Sequence, residues 1–332
     1  SNLGMFEEPF ELRESETVNR VLVAGATGKL GMMVVKKLAA EKVPVVAMAR
    51  DPGSEAAAEL RGMDYVEVVK ADLRDRESLT EAVRGCRAVI CTAAVKPMRF
   101  GKVSDLWSDP FSDPGHPANL NLRGIQNLIS ACEETSPPVQ KLVRVTGLSV
   151  GLSPWSPISI LFSLVNSFAN RWNREGELAI RASSMDYTVI RPAGIKDCPK
   201  ASETGDKLLL ATDAPEWEGQ RPPATTGISR EDVADLVCAS VDDKRLSKAT
   251  LRVSRMARGT ARNFYRDDAR GGYTWDAIIP RVLPDRPGSL APADYDTPAA
   301  AGLVLLSFVL GCVYRLLSSL LSLLARRVLA LL

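Results

Sequence analysis

Gly25, Gly28 and Gly31 mark the first place in this 332-residue chain where residue type and spacing could do chemistry. They lie in Gly25-Ala26-Thr27-Gly28-Lys29-Leu30-Gly31, directly after the apolar run Val21-Leu22-Val23-Ala24. The chemistry such a run serves is phosphate binding. The first glycine permits a tight strand-to-helix turn, the second lets the backbone approach a pyrophosphate, and the third lets helix and strand pack closely. Met32, Val34, Val35, Leu38 and Ala39 then show helical periodicity, and residues 43–49 read as a second strand. This is the βαβ context the motif requires. Thr27, Lys29 and Leu30 join the three glycines as candidate nucleotide contacts.

The end of the second strand selects the dinucleotide. An acid there would accept from a ribose 2′-hydroxyl, but this chain has Arg50, a cation suited to a 2′-phosphate. NADP(H) is therefore the expected cofactor, with Arg50 and also Lys29 on the phosphate. Asp72 and Leu73, after strand three, offer a carboxylate to an adenine amino group. Ala93 and Ala94, after strand four, are small enough for a cofactor to lie against the backbone.

The elements that position these residues alternate. Strands are predicted over 65–69, 88–92, 141–146 and 187–192, with helices over 78–83 and 121–132. That alternation implies an α/β, Rossmann-like, doubly wound parallel sheet covered on both faces. A polar insertion over 202–227 predicts a small substrate-side subdomain. Ser229 is the expected cap of a helix starting at Arg230, with Asp232 completing a capping box.

With these residues in place, the chain resembles the atypical short-chain dehydrogenase/reductase family, in its NAD(P)-binding, nitrogen-metabolite-repressor-like branch. The resemblance rests on the glycine run, Ala71-Asp72-Leu73, the segment from Asn121 to Ala131, and Asp186-Tyr187-Thr188-Val189-Ile190-Arg191-Pro192. Ile228-Ser229-Arg230-Glu231-Asp232-Val233-Ala234 extends it. Residues 145–148 and 172–177 resemble in particular the plastid members, among them the dehydrogenase-like component of the inner-envelope import translocon. The resemblance adds Asn121, Thr146 and Pro192 to the candidate cofactor residues. The Ser/Pro-rich repeats with which that component binds ferredoxin–NADP reductase have no counterpart here, so that partner does not carry over.

The reductases of this superfamily transfer a proton with a Tyr and a Lys four residues later, assisted by a Ser after strand five. Aligned on Glu177, the Tyr position holds Ala169, the Lys position Asn173 and the Ser position Gly147. No Tyr or Lys lies between Gly147 and Asp186. Ser149 is the one weak catalytic candidate, and Tyr187 sits on a buried-strand pattern that reads as core. The resemblance thus implies a complete cofactor site beside a dismantled proton-transfer site.

Other chemistries find little material. The only histidine, His116, reads as a loop residue without a ligand role, so no metal site and no Ser-His-Asp nucleophile is expected. Six cysteines without a C-x-x-C pair read as reduced structural thiols. With 42 Lys+Arg against 40 Asp+Glu, the net charge of +2 offers no field for nucleic acid.

Four segments follow. An acidic arm, residues 1–18, carries five glutamates and one arginine, a net of −4. The nucleotide-binding domain covers 19–253. A basic linker or collar, 254–297, has Arg258, Arg262, Arg266 and Arg270 at a four-residue spacing suited to anionic headgroups or an acidic partner. The tail, 298–332, is of membrane grade. From Ala299 to Leu332 the only charges are Arg315, Arg326 and Arg327. Residues 299–325 would make a helix of about 40 Å, enough to cross with tilt. Arg315, Ser319, Ser322 and Arg326 share one stripe, suited to packing on other membrane subunits, either in one span or in a short span plus an interfacial helix. Residues 148–168, rich in Ile, Leu and Phe, suit a core helix or a lipophilic pocket or partner surface. The chain opens at Ser1 with no basic run before an apolar core, so no secretory leader is expected.

The sequence thus predicts a membrane-anchored, NADP(H)-binding accessory subunit, structural or redox-sensing, of an organellar complex. A plastid membrane, thylakoid or inner envelope, with the domain in the stroma is the leading compartment. The mitochondrial inner membrane, whose respiratory complex I has a similar non-catalytic NADPH-binding subunit, is the alternative. Two other functions stay open: an unorthodox reductase of a quinone or tetrapyrrole, and a membrane-tethered assembly factor or scaffold.

Overall fold

A computed structural model describes residues 19–94, 105, 107–213, 227–256, 271–272, 274–290 and 293–329, with side chains in the last helix as far as Ser318. The acidic arm, the arginines at 258, 262, 266 and 270, and the side chains of Ser319, Ser322 and Arg326 lie outside the described residues.

The β-branched run after Asn19 forms β1 (Arg20–Ala24), which passes through the glycine turn into α1 (Lys29–Ala40). Then come β2 (Val45–Ala49), α2 (Glu55–Arg61), β3 (Val66–Lys70), α3 (Arg76–Ala82) and β4 (Cys86–Cys91). A π-helical turn, Asn119–Arg123, leads into α4 (Gly124–Glu134), β5 (Lys141–Val145), α5 (Pro157–Val165), α6 (Ala169–Ala182) and β6 (Asp186–Pro192). The remainder is β7 (Ile195–Lys196), α7 (Ala201–Thr204), β8 (Lys207–Thr212), β9 (Ile228–Ser229), α8 (Arg230–Asp242), β10 (Ala249–Met256), β11 (Gly271–Gly272) and α9 (Asp296–Leu329).

The main sheet has the order β11-β8-β10-β6-β5-β4-β1-β2-β3. From β3 across to β10 every pair is parallel, while β8 and β11 run antiparallel at the far edge. The chain reverses direction of winding between β1 and β4, and the crevice beyond the carboxyl ends of those strands is where such sheets bind ligands. Each face is covered by an apolar cluster. One gathers Val21, Val23, Val34 and Val35 with α8, the other Leu22, Val89, Leu128 and Leu142 with α4. That double burial explains why the central strands read as continuous apolar runs rather than alternating ones.

Three expectations are corrected here. Part of the supposed polar insertion, Lys207–Thr212, is a strand of the main sheet, paired with β10. The parallel pair β7–β9 and α7 form a small unit outside that sheet. Ser229 does cap α8, its Oγ accepting from the Glu231 and Asp232 amides, but Asp232 closes no capping box. Its carboxylate accepts from the Ala201 amide at 3.0 Å and so fastens α7 to α8. The collar is also more than a linker: Trp275, Ile278 and Ile279 are buried in the core, and Trp275 Nε1 donates to the Asp232 carbonyl at 2.6 Å.

The tail forms one helix, without a break between a span and an interfacial segment as far as Leu329. Asp296–Ser318 is long and apolar enough to cross a membrane, with a mean hydropathy of 2.0. Its root is tied to the domain: Tyr295 and Ala299 pack with Phe168, Trp172 and Ala118, and Arg171 pairs with Asp296 at 2.5 Å.

Candidate functional site: a dinucleotide cradle beside a buried arginine network

At the switch point the glycines are required by space. Gly25 has φ +88°, and a Cβ there would come 2.7 Å from the Ala93 nitrogen. A Cβ on Gly31 would lie 2.1 Å from the Gly25 carbonyl oxygen, so only glycine lets α1 start this close to the turn. Gly28 donates its N–H to that same carbonyl at 3.0 Å and stands at the N-cap of α1. No side chain caps the helix and no acid occupies its first turn. Its unpaired N–H groups and positive dipole end are therefore available to an anion.

A cavity of about 270 Å³ opens there. It brings together eight of the predicted residues: Gly25, Thr27, Gly28, Arg50, Asp72, Leu73, Ala93 and Ala94. Met48, Thr92 and Leu120 also line it and carried no sequence signal beyond being apolar or small. Thr92 Oγ1 donates to the Ala24 carbonyl at 3.1 Å, which holds the strand ends in register under the glycine turn.

Arg50 is exposed and makes no ion pair among the described residues. It borders both this cavity and an adjoining pocket formed with Arg74, Pro114 and His116. Arg74 grips Asp72, its Nε 3.0 Å and Nη2 2.5 Å from the two carboxylate oxygens. That hydrogen bonding, opposed by partial burial and helped by the Arg50 charge, holds the Asp72 carboxyl below the usual range. The rim of the cavity therefore carries two guanidinium groups. Among the described residues Arg50 makes no side-chain hydrogen bond either. The uncapped helix, the glycine cradle and the carboxylate of Asp72 fit an NAD(P)-type dinucleotide, whose pyrophosphate the amides at the start of α1 would hold.

The other predicted residues stand elsewhere. Lys29 points to Asp197, just past β7, at 3.0 Å and does not line the pockets that Arg50 borders, whereas Arg74 lines one of them. Leu30 and Gly31 are buried beneath the turn. Asn121 is buried within the π-helical turn, Thr146 Oγ1 donates to Glu177 at 2.6 Å, and Pro192 is buried at the end of β6. Ser149 donates to Asn170 Oδ1 at 3.0 Å, beside the start of α6. His116 is a loop residue but a buried one, its Nδ1 accepting from the Ala118 amide at 3.2 Å. Among the described residues no group of His, Cys, Asp and Glu could hold a metal ion.

The place where the superfamily keeps its proton-transfer residues is wired differently. Asn173 Nδ2 donates to the Ala169 carbonyl at 3.0 Å, and its Oδ1 accepts from Arg144 Nη2 at 3.3 Å. Arg144, on β5, is 2% exposed and also donates to the Ala93 carbonyl at 2.7 Å and the Cys91 sulfur at 3.0 Å. A guanidinium rooted in the sheet thus lies beside Asn173. It was missed in the sequence, although a charge between the apolar Val143 and Val145 of a parallel strand was the signal.

Deeper still, Arg191 (1% exposed) binds Glu177 at 3.1 Å and Asp213 at 3.0 Å. Asp213 also pairs with Arg252 and with Arg181 at 2.9 Å. Burial alone would raise the Asp213 carboxyl, but Arg191, Arg252 and Arg181 outweigh it and hold it below the ordinary range. Tyr187 donates to Asp285 Oδ2 at 3.2 Å, and burial together with that carboxylate pushes its phenol up. It is a core residue, as its strand pattern predicts. Burial likewise pushes the Cys86 and Cys238 thiols up to about 12, as expected of inert structural cysteines.

The profile of the NAD(P)H-binding family matches residues 25–244. The chain belongs to that family. Its relatives include an uncharacterised chloroplastic protein of Arabidopsis thaliana, 31% identical over 220 residues, which are 65% of this chain and 63% of that protein. Protein TIC 62 of Pisum sativum, also chloroplastic, is 24% identical over 255 residues, 71% of this chain and 43% of its own length. The chain therefore spans about half the length of the curated relatives it matches. Among solved structures, an NAD-dependent epimerase/dehydratase-type protein of Bacillus halodurans superposes with a TM-score of 0.54 at 22% identity, over 72% of this chain and 94% of that one. A short-chain dehydrogenase/reductase of Veillonella parvula in complex with NADP gives 0.50 at 14% identity, over 73% and 95%. At such identities the superpositions show the fold. NAD(P) binding rests on the family profile and on the cradle.

Proposed function

We propose that this chain is an NADP(H)-selective, non-catalytic accessory subunit anchored by α9 in a plastid membrane, with its nucleotide domain on the stromal side. The observation that carries the reading is the wiring around Asn173. The position of the catalytic ammonium is an amide held by the Ala169 carbonyl and Arg144, and the position of the phenol is Ala169. Bound NADP(H) would then serve by stabilising the folded form, or by reporting the redox state of the nucleotide pool to neighbouring subunits. Its chloroplastic relatives favour the plastid. The apolar length of Asp296–Ser318 favours the membrane.

Selectivity for the phosphorylated dinucleotide rests on Arg50. Charge-assisted hydrogen bonds are worth about 1.5–3 kcal/mol. Arg50→Ala is therefore expected to weaken NADPH binding by about 10–100-fold while NADH binding stays nearly constant, as read by fluorescence titration of the full chain in detergent. Equal losses for the two dinucleotides, or a phosphate preference indifferent to the substitution, would refute the assignment.

A further inference from the structure

We propose that α5 lies in the headgroup–acyl boundary of the membrane, so that the bilayer itself covers its outward face. The inference rests on the reading of α9 as a membrane span. α5 is built inside out: Ser159 and Ser163 face the protein and are at most 3% exposed, whereas Ile158, Leu161 and Phe162 are 41–56% exposed. A helix on a watered surface shows the opposite arrangement. Nor is its orientation left to a loose end, since Ser156 Oγ caps it by accepting from the Ser159 amide at 3.2 Å and Pro157 begins it. Trp155, immediately before the helix, is 60% exposed, the kind of amphipathic ring that settles at headgroup depth.

Continuity with α9 selects lipid as the occupant. Gly302 of α9 rests on α5, where a Cβ would come 2.3 Å from Ile160 Cγ2, and Leu164 is the next neighbour. From there Val304, Leu305 and Phe308 extend the exposed apolar surface up the tail helix. At the polar edge, Arg171 pairs with Asp296 and its guanidinium stacks on Trp172 at 4.7 Å. A short apolar helix joined flank to flank with a membrane-length helix has the geometry of an interfacial helix beside its span. Lying there, α5 would hold the nucleotide domain against the membrane surface instead of leaving it to swing on one helix.

The test uses the full chain reconstituted in vesicles of phosphatidylcholine brominated in the upper acyl chain, with Trp155→Phe as the reference. The Trp155 emission, wild type minus variant, is expected to fall by about half relative to unbrominated vesicles, in vesicles whose protein resists carbonate extraction. Undiminished Trp155 emission in extraction-resistant vesicles overturns this inference alone and leaves the anchor standing. Shielding of Trp155 from aqueous acrylamide without bromine quenching does the same and points to a protein neighbour on α5. Release of the protein by carbonate overturns the anchor reading, and this inference with it.

Discussion

Replacing Arg191 with methionine is expected to lower the stability of the domain by about 3–5 kcal/mol, a large share of a total of about 5–15. The reason is what remains. Glu177 and Asp213 are almost fully buried, and Arg191 bridges them at 3.1 and 3.0 Å. Asp213 keeps Arg181 and Arg252. Glu177 keeps only the Thr146 hydroxyl among its described partners and must otherwise stay charged in the core or take up a proton. Removing both charges with Arg191→Met and Glu177→Leu is expected to recover most of the loss, since a matched apolar pair is often as stable as the buried ion pair it replaces. Urea midpoints of the full chain in detergent report both effects. A single-variant loss below about 1 kcal/mol would place the pair among weak surface bridges and contradict its structural weight.

Gly31→Ala is expected to weaken NADPH binding by about 10–100-fold, the equivalent of the roughly 1–3 kcal/mol that overpacking costs. The new methyl would sit 2.1 Å from the Gly25 oxygen and 2.7 Å from its carbon, and both are backbone atoms that cannot swing aside. α1 must therefore move outward and carry its N-terminal amides off the phosphate positions. Gly194→Ala is the control, because nothing lies within 4 Å of a Cβ there. Isothermal titration with NADPH distinguishes them, and equal affinities for the two variants would show that the cradle does not hold the pyrophosphate.

The cradle was legible in the sequence because a glycine turn between a strand and a helix has a local signature, and Arg50 could be placed simply by counting to the end of β2. The antiparallel edge was not. Lys207–Thr212 holds only a four-residue apolar run, residues 208–211, inside a window whose average is polar, and Gly271–Gly272 has no strand propensity at all. The ion network is invisible for another reason: Arg191, Glu177, Asp213, Arg252 and Asp285 come from separate segments, and only folding makes them neighbours. α5 shows the limit of periodicity. Its apolar residues are obvious, but a pattern of period 3.6 does not say whether that face meets the core or the outside. Arg144 is the reverse case, a visible anomaly in a buried strand whose partner Asn173 became meaningful only once the two were seen together.

On the proposed reading the chain holds NADPH without consuming it. The most direct measurement follows NADPH absorbance over many equivalents in the presence of the native, membrane-extracted protein and a quinone or tetrapyrrole acceptor, alongside a native mass spectrum of the same sample. One bound dinucleotide per chain is expected, with oxidation no faster than without protein. Sustained turnover that disappears in Arg50→Ala would contradict it and make the chain a reductase that protonates its product by another route.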